Sequence, residues 1–170
     1  MTLGIAHKDE KSGQIVLDIL RERRPPFKPQ DVVSEFADAL KGFGICTVKS
    51  DRYAGEWVSS AFSGCGILVQ PSELSASEIY LNFLPLISNG TVELLENKRL
   101  TAQFSGLERR ARMGGKDAVD HYPGGHDDLA VAAAGAIVEV ASEKPMPMIW
   151  RVGGPGVKSD GGWPWWARRF

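Results

Sequence analysis

The segment His121-Tyr-Pro-Gly-Gly-His-Asp-Asp-Leu-Ala130 sets two adjacent carboxylates, Asp127 and Asp128, where a glycine loop gives way to an alanine-rich apolar run. A helix start of this kind is rigid on one side and open on the other, which suits carboxylates that hold a divalent ion facing solvent. The same residues can instead cap the helix, because an acidic side chain accepts the free N–H groups of the first turn and favours the positive dipole end. A second acidic position bears on that choice. Ile45-Cys-Thr-Val-Lys-Ser-Asp51 reads as a short β-branched strand ending in an aspartate. In open α/β sheets ligands collect at the carboxyl ends of strands. Asp51 and the Asp127-Asp128 pair, remote in sequence, can therefore meet as an oxygen-only site for Mg²⁺ or Mn²⁺.

The elements that must carry these residues alternate along the chain. Leu3 to His7 and Gln14 to Arg21 form a hairpin around Lys11-Ser-Gly13, with Asp9 in the turn. Pro25, Pro26 and Pro29 make a stiff connector. A helix then buries Val33, Phe36, Ala37 and Leu40 and ends at Gly42 or Gly44. After the strand to Asp51, Val58, Ala61 and Phe62 mark a second helix, with Trp57 read as core, and Gly66 to Gln70 a strand. From Ser75 a helix presents Ile79, Tyr80, Phe83, Leu84 and Ile87, with Pro85 set to kink or shorten it. Thr91 to Leu95 reads as a strand. Leu100, Phe104, Leu107 and Ala111 read as one amphipathic helix ended by Gly114-Gly115, with Glu108 to Arg110 on its surface. The last helix runs from about Asp128 to Ala141, its small residues permitting close packing on a sheet. A hairpin followed by strand and helix alternation implies an α/β fold, a mixed sheet flanked by helices.

With 170 residues, 43% of them hydrophobic, the chain can bury one core. No apolar run of membrane-spanning length and no signal-peptide pattern occurs, so a cytoplasmic location is expected. Cys46 and Cys65 lie in apolar segments and read as buried free thiols. With no paired Cys-x-x-Cys and three histidines, a zinc site is not indicated. The net charge of -1 supplies no global attraction to nucleic acid. Basic clusters at Arg21 to Arg24, Arg109 to Arg112 and Arg168-Arg169 read as solvated faces or as phosphate contacts.

Taken in order, Ser50-Asp-Arg-Tyr-Ala-Gly-Glu-Trp57, Ser77-Glu-Ile-Tyr80, Leu100-Thr-Ala-Gln-Phe104 with Leu107-Glu-Arg-Arg110, Asp120-His121 and His126-Asp-Asp-Leu-Ala130 resemble the nuclease domain of tailed-phage terminase large subunits. The resemblance spans residue 3 to about 141. It implies a ribonuclease H-like fold and an endonuclease that cuts concatemeric phage or prophage DNA with two Mg²⁺ or Mn²⁺ ions held by an acidic cluster. Carried onto this chain, Asp51 matches the family's second acidic position and Asp127-Asp128 its last. Asp51 and Asp128 are then direct ligands, and Asp127 a further ligand or the helix cap. His126 can orient a water or a phosphate or serve the loop alone. Arg52 and Tyr53 can touch the DNA backbone or pack. The family's first carboxylate has no counterpart, since no acidic residue precedes Asp9. The resemblance thus implies a first strand that is incomplete and a chain separated from its ATPase domain, for no Gly-x-x-x-x-Gly-Lys-Ser/Thr phosphate loop occurs. The alternative is a catalytically silent terminase fragment that retains DNA or portal binding only.

Two regions follow: residues 1–142 as the nuclease-type domain and 143–170 as a flexible tail rich in Trp, Gly, Pro and Arg. Four of the five tryptophans lie in the tail, a composition that fits an aromatic anchor for a partner's pocket as well as an inert extension. The resemblance makes the portal protein that partner, with the terminase small subunit and ATPase domain completing the assembly on double-stranded DNA.

Overall fold

A computed structural model describes residues 1–51, 55–110 and 117–142. The chain opens with an antiparallel hairpin of β1 (Thr2–Lys8) and β2 (Ile15–Glu22). Its turn is tied by Asp9, whose carboxylate accepts the N–H groups of Lys11 and Ser12 and the Ser12 hydroxyl. The register slips once, between Ile5 paired with Ile19 and Ala6 paired with Leu17, leaving Asp18 as an extra residue. Strand residues alternate between faces, so this bulge reverses the alternation in β2. Ile15 and Leu17 join one hydrophobic cluster and Ile19 the other.

Pro29 stands in the first turn of α1 (Pro29–Gly42), where its missing N–H costs no hydrogen bond. The helix buries Val32, Val33, Phe36, Ala37 and Leu40. β3 (Thr47–Ser50) follows, then α2 (Glu56–Gly64) and β4 (Leu68–Pro71), which pairs in parallel with β3. Trp57, expected in the core, is 50% exposed on the first turn of α2, because Phe62 is the buried residue of that helix. The cysteines are free as expected, yet Cys46 is exposed and Cys65 only partly covered, so neither is a buried thiol.

α3 (Ala76–Ser88) begins at a capping box in which Ser75 and Glu78 exchange side-chain and backbone hydrogen bonds. It runs three residues past Pro85 and leaves Leu84 and Ile87 exposed, so its buried face is narrower than the sequence implies. β5 (Val92–Glu93) pairs in parallel with β2. α4 (Lys98–Ser105) stops at Gly106, shorter than expected. Leu107 and its neighbours form β6 (Leu107–Arg110), antiparallel to β7 (Ala118–His121), instead of continuing the helix. The pairing with β7 is a partner 8 or more residues downstream, which a helical period computed over neighbouring positions does not register. Glu108 to Arg110 are therefore a strand surface, where Arg110 pairs with Glu108 and Arg109 with Asp117.

α5 (Asp128–Ser142) completes the described chain. The described strands form three sheets, ordered β1-β2-β5, β3-β4 and β6-β7. α5 packs against β1 so closely that a Cβ on Gly4 would stand 2.5 Å from the carbonyl oxygen of Ala132. Small residues on both sides make that approach possible. One cluster joins α5 to β2, α3 and α4 through Leu17, Tyr80, Phe83, Leu100 and Ile137. The other joins α1 to β1, α2 and the β3-β4 sheet through Ile5, Phe36, Leu40, Phe62 and Ile67. Among the described residues no helix is long and apolar enough to cross a membrane. The tail from residue 143, with its expected flexibility and partner docking, lies outside the described residues.

Candidate metal centre

The loop before α5 is set by a turn in which Pro123 and Gly124 hold the two central positions. The Gly125 N–H donates to the Tyr122 carbonyl at 2.9 Å, and Gly124 has φ of +80°. Pro followed by a positive-φ glycine is the pattern of a type II turn. The Tyr122 ring lies against Gly106 and Gly125, where an added Cβ would come within 3.1 and 3.2 Å of it, so the loop leans on the end of α4. β7 is docked onto α3, its Val119 N–H donating to the Ser77 hydroxyl at 2.9 Å. These contacts deliver Asp120, His121, Asp127 and Asp128 to one region.

At the helix start the first N–H groups are capped from α4 and not by the aspartates. The Leu129 and Ala130 N–H groups both donate to Oε1 of Gln103, at 2.9 Å each. Gln103 is the buried polar side chain of the described core and reaches across from α4. The Asp127 carbonyl accepts from the Val131 N–H, while the Asp127 carboxylate turns the other way. Its Oδ2 accepts the Tyr80 hydroxyl at 2.8 Å, and Oδ1 takes no hydrogen bond from a described residue. Asp128 is exposed, and its carboxylate forms no hydrogen bond or ion pair among the described residues.

The charges register on their neighbours. Tyr80, 3% exposed, has its hydroxyl pushed well above the usual phenol range, by burial first and then by Asp127, with Asp120 and Asp128 adding to the effect. The His121 imidazole is raised above its ordinary value, chiefly because Nδ1 donates to the Tyr122 carbonyl, with further increments from Asp127, Asp120 and Asp128. Asp120, Asp127 and Asp128 thus make one negative patch around Tyr80 and His121.

Asp51 follows β3 directly and is exposed. It is not among the charges acting on Tyr80 or His121. Two residues earlier, Lys49 lies 3.9 Å from Glu139 on α5. Glu139 is eleven residues beyond Asp128, roughly 16 Å along the helix axis. Among the described residues no three His, Cys, Asp or Glu side chains gather as a ready ligand set. His126 is exposed in the loop, and Arg52 and Tyr53 lie outside the described residues. The basic cluster at Arg21 to Arg24 is engaged in ion pairs, Arg21 and Arg23 with Glu35 and Arg24 with Glu22.

Tyr80 and Gln103 are the site residues that reading the sequence for acids does not find. Gln103 had a signal: it is a polar residue three after Leu100 and one before Phe104, inside an apolar helical stripe. Tyr80 reads as core beside Ile79 and Phe83, and the Ser77 to Tyr80 motif marks the segment without giving the residue a role.

No protein-family model and no curated protein sequence matches the chain. Solved structures do. The large terminase nuclease from thermophilic phage G20c superposes with a TM-score of 0.61 and 18% identity, covering 82% of this chain and 81% of that one. The same nuclease with bound magnesium gives 0.60 and 17%, with 81% of each chain covered. The Thermus phage P74-26 large terminase nuclease domain gives 0.56 and 17%, covering 79% of this chain and 78% of that one. The fold of this chain is that of these nucleases, a ribonuclease H-like α/β fold of five described helices and mixed strand pairing.

Proposed function

We propose that residues 1–142 form the metal-dependent DNA endonuclease domain of a phage or prophage terminase large subunit, cutting concatemeric double-stranded DNA during packaging. The carrying observation is the start of α5, on a terminase-nuclease fold, where two adjacent carboxylates are relieved of capping by Gln103, with Asp128 exposed and Asp127 Oδ1 without a described partner. The neighbouring nuclease was solved with bound magnesium and with bound cobalt. The donor set here fits such hard cations, because Asp127 Oδ1 and the Asp128 carboxylate are charged oxygens with no described partner.

In this reading Asp127, Asp128 and Asp51 hold the metal, Mg²⁺ or Mn²⁺, as two ions. Bound there, the ions supply positive charge to the attacking water and to the leaving oxygen of a phosphodiester. The chain's own part is placement. α5 fixes Asp128 on a rigid element, and the Gly124-Gly125 turn keeps the approach open. His126 and His121 offer N–H donors to a phosphate at the rim, and Arg52 and Tyr53 follow Asp51 as backbone contacts. The tail, 143–170, serves as the dock for the portal, beside the small subunit and ATPase domain of the full assembly.

A second reading has the same fold binding DNA or portal without cutting. It is favoured by the absence, among the described residues, of three His, Cys, Asp or Glu side chains gathered as a ligand set. Nicking of supercoiled plasmid by the purified chain in Mn²⁺ decides between them. The nuclease reading expects cleavage that EDTA and Asp128→Asn each abolish and Asp51→Asn reduces at least tenfold, a loss of about 1.4 kcal/mol in transition-state stabilisation. A folded chain that binds plasmid and leaves it intact refutes cutting and supports the silent fragment.

A further inference from the structure

We infer that Tyr80 is a positioning residue for a metal-ligating Asp127, holding one carboxylate oxygen so that only the other is presented to the ion. The inference rests on the metal site proposed above and adds to it the residue that sets its geometry.

Three observations carry it. Tyr80 is 3% exposed, its ring packed among Ile79, Phe83 and Leu129 in the α5 cluster, so its hydroxyl is a fixed donor and not a swinging one. That hydroxyl sits 2.8 Å from Asp127 Oδ2 and 3.5 Å from the Asp127 carbonyl oxygen, a placement that settles the carboxylate's rotation about its own backbone. The contact is also not needed for the helix, since Gln103 already satisfies the Leu129 and Ala130 N–H groups. An aspartate preceding a helix ordinarily folds its carboxylate back onto those N–H groups. Here that alternative is blocked by Gln103, and one oxygen of the carboxylate is held against the core by Tyr80. A hydrogen bond to one oxygen of a ligating carboxylate orients it and tunes the charge on the other, and losing such a partner typically costs metal affinity roughly 10- to 100-fold.

Free Mn²⁺ measured by electron paramagnetic resonance during titration gives the affinity without any need for cleavage. Circular dichroism melts of the same samples report folding. Tyr80→Phe keeps the ring and removes the donor. It is expected to keep the folded spectrum and to weaken Mn²⁺ binding about tenfold. In an Asp127→Asn background the same substitution should change Mn²⁺ affinity no further, because the two residues act as one unit. Mn²⁺ affinity unchanged or increased in Tyr80→Phe overturns the inference while leaving the metal site standing, as does an equal loss in both backgrounds. A wild-type chain that binds no Mn²⁺, or one whose binding ignores Asp127→Asn, overturns the metal site and this inference together. Should Tyr80→Phe unfold, the Gln103 side chain that accepts the Leu129 and Ala130 N–H groups provides the second route. Gln103→Leu, which frees those N–H groups to recapture Asp127, should reproduce the Tyr80→Phe loss, and if it does not the inference fails.

Discussion

Gly4→Ala tests the seam on which the proposed site depends. A Cβ at that position would meet Ala132 O at 2.5 Å and Ala132 C at 3.0 Å, with Ala136 Cβ at 3.4 Å. The nearest two atoms are backbone of a helix, so no flexible side-chain end can turn aside. β1 and α5 must part by roughly 0.9 Å to reach an ordinary van der Waals distance. Overpacking of a core costs about 1–3 kcal/mol, and with rigid backbone on both sides the upper half of that range applies. For a domain of this size each kcal/mol is worth about 2–4 °C in Tm, so a fall of roughly 4–12 °C is expected. Thermal melts followed by circular dichroism, with urea midpoints alongside, read this directly. Gly64→Ala is the matched control: no atom lies within 4 Å of its added Cβ, and its stability should hold or rise slightly. Equal Tm for Gly4→Ala and Gly64→Ala would refute the close approach. The movement also displaces the start of α5, so Mn²⁺ affinity should fall with the Tm.

Phe36→Ala empties the centre of the α1 cluster, where the ring is 1% exposed, and should cost about 3–5 kcal/mol in chemical denaturation. His121 should titrate in proton NMR above its ordinary 6.5, chiefly through its bond to the Tyr122 carbonyl, and Asp127→Asn should bring it partway back. Because the folded value is raised, its contribution to stability is complete below 6.5 and is lost as pH climbs through the folded value. A midpoint at or below 6.5 would remove the acidic patch from around it.

The parts of the fold that read cleanly from sequence are those whose signals are local. The Asp9 turn, the helix that starts after Ser75 and the alanine run of α5 each state their structure within a few residues, whereas Pro29, expected in the connector, opens α1. What failed depends on distant partners. Leu107 keeps helical spacing with Leu100 and Phe104, yet Gly106 and the pairing of Leu107 with His121 turn it into a strand. The bulge at Asp18 is not legible in Ile15-Val-Leu-Asp-Ile-Leu20, where apolar residues flank the aspartate on both sides without a strand-like alternation. At the candidate site the carboxylates were legible because acids beside glycines at a helix start are few. Their supports were not, since Tyr80 and Gln103 act across 47 and 26 residues of chain.

The two hydrophobic clusters meet along the β1-β2 hairpin. Ile5 belongs to the α1 cluster, while Ala6, its neighbour, packs into the α5 cluster. Asp51 extends from a strand of the first cluster, and Asp127 and Asp128 begin the helix of the second. Any ligand gripping both sets of carboxylates therefore couples the local opening of one cluster to that of the other. Its binding energy would appear as slowed amide exchange through β3 and β4 and onward into α1, before it appeared in the global melting temperature.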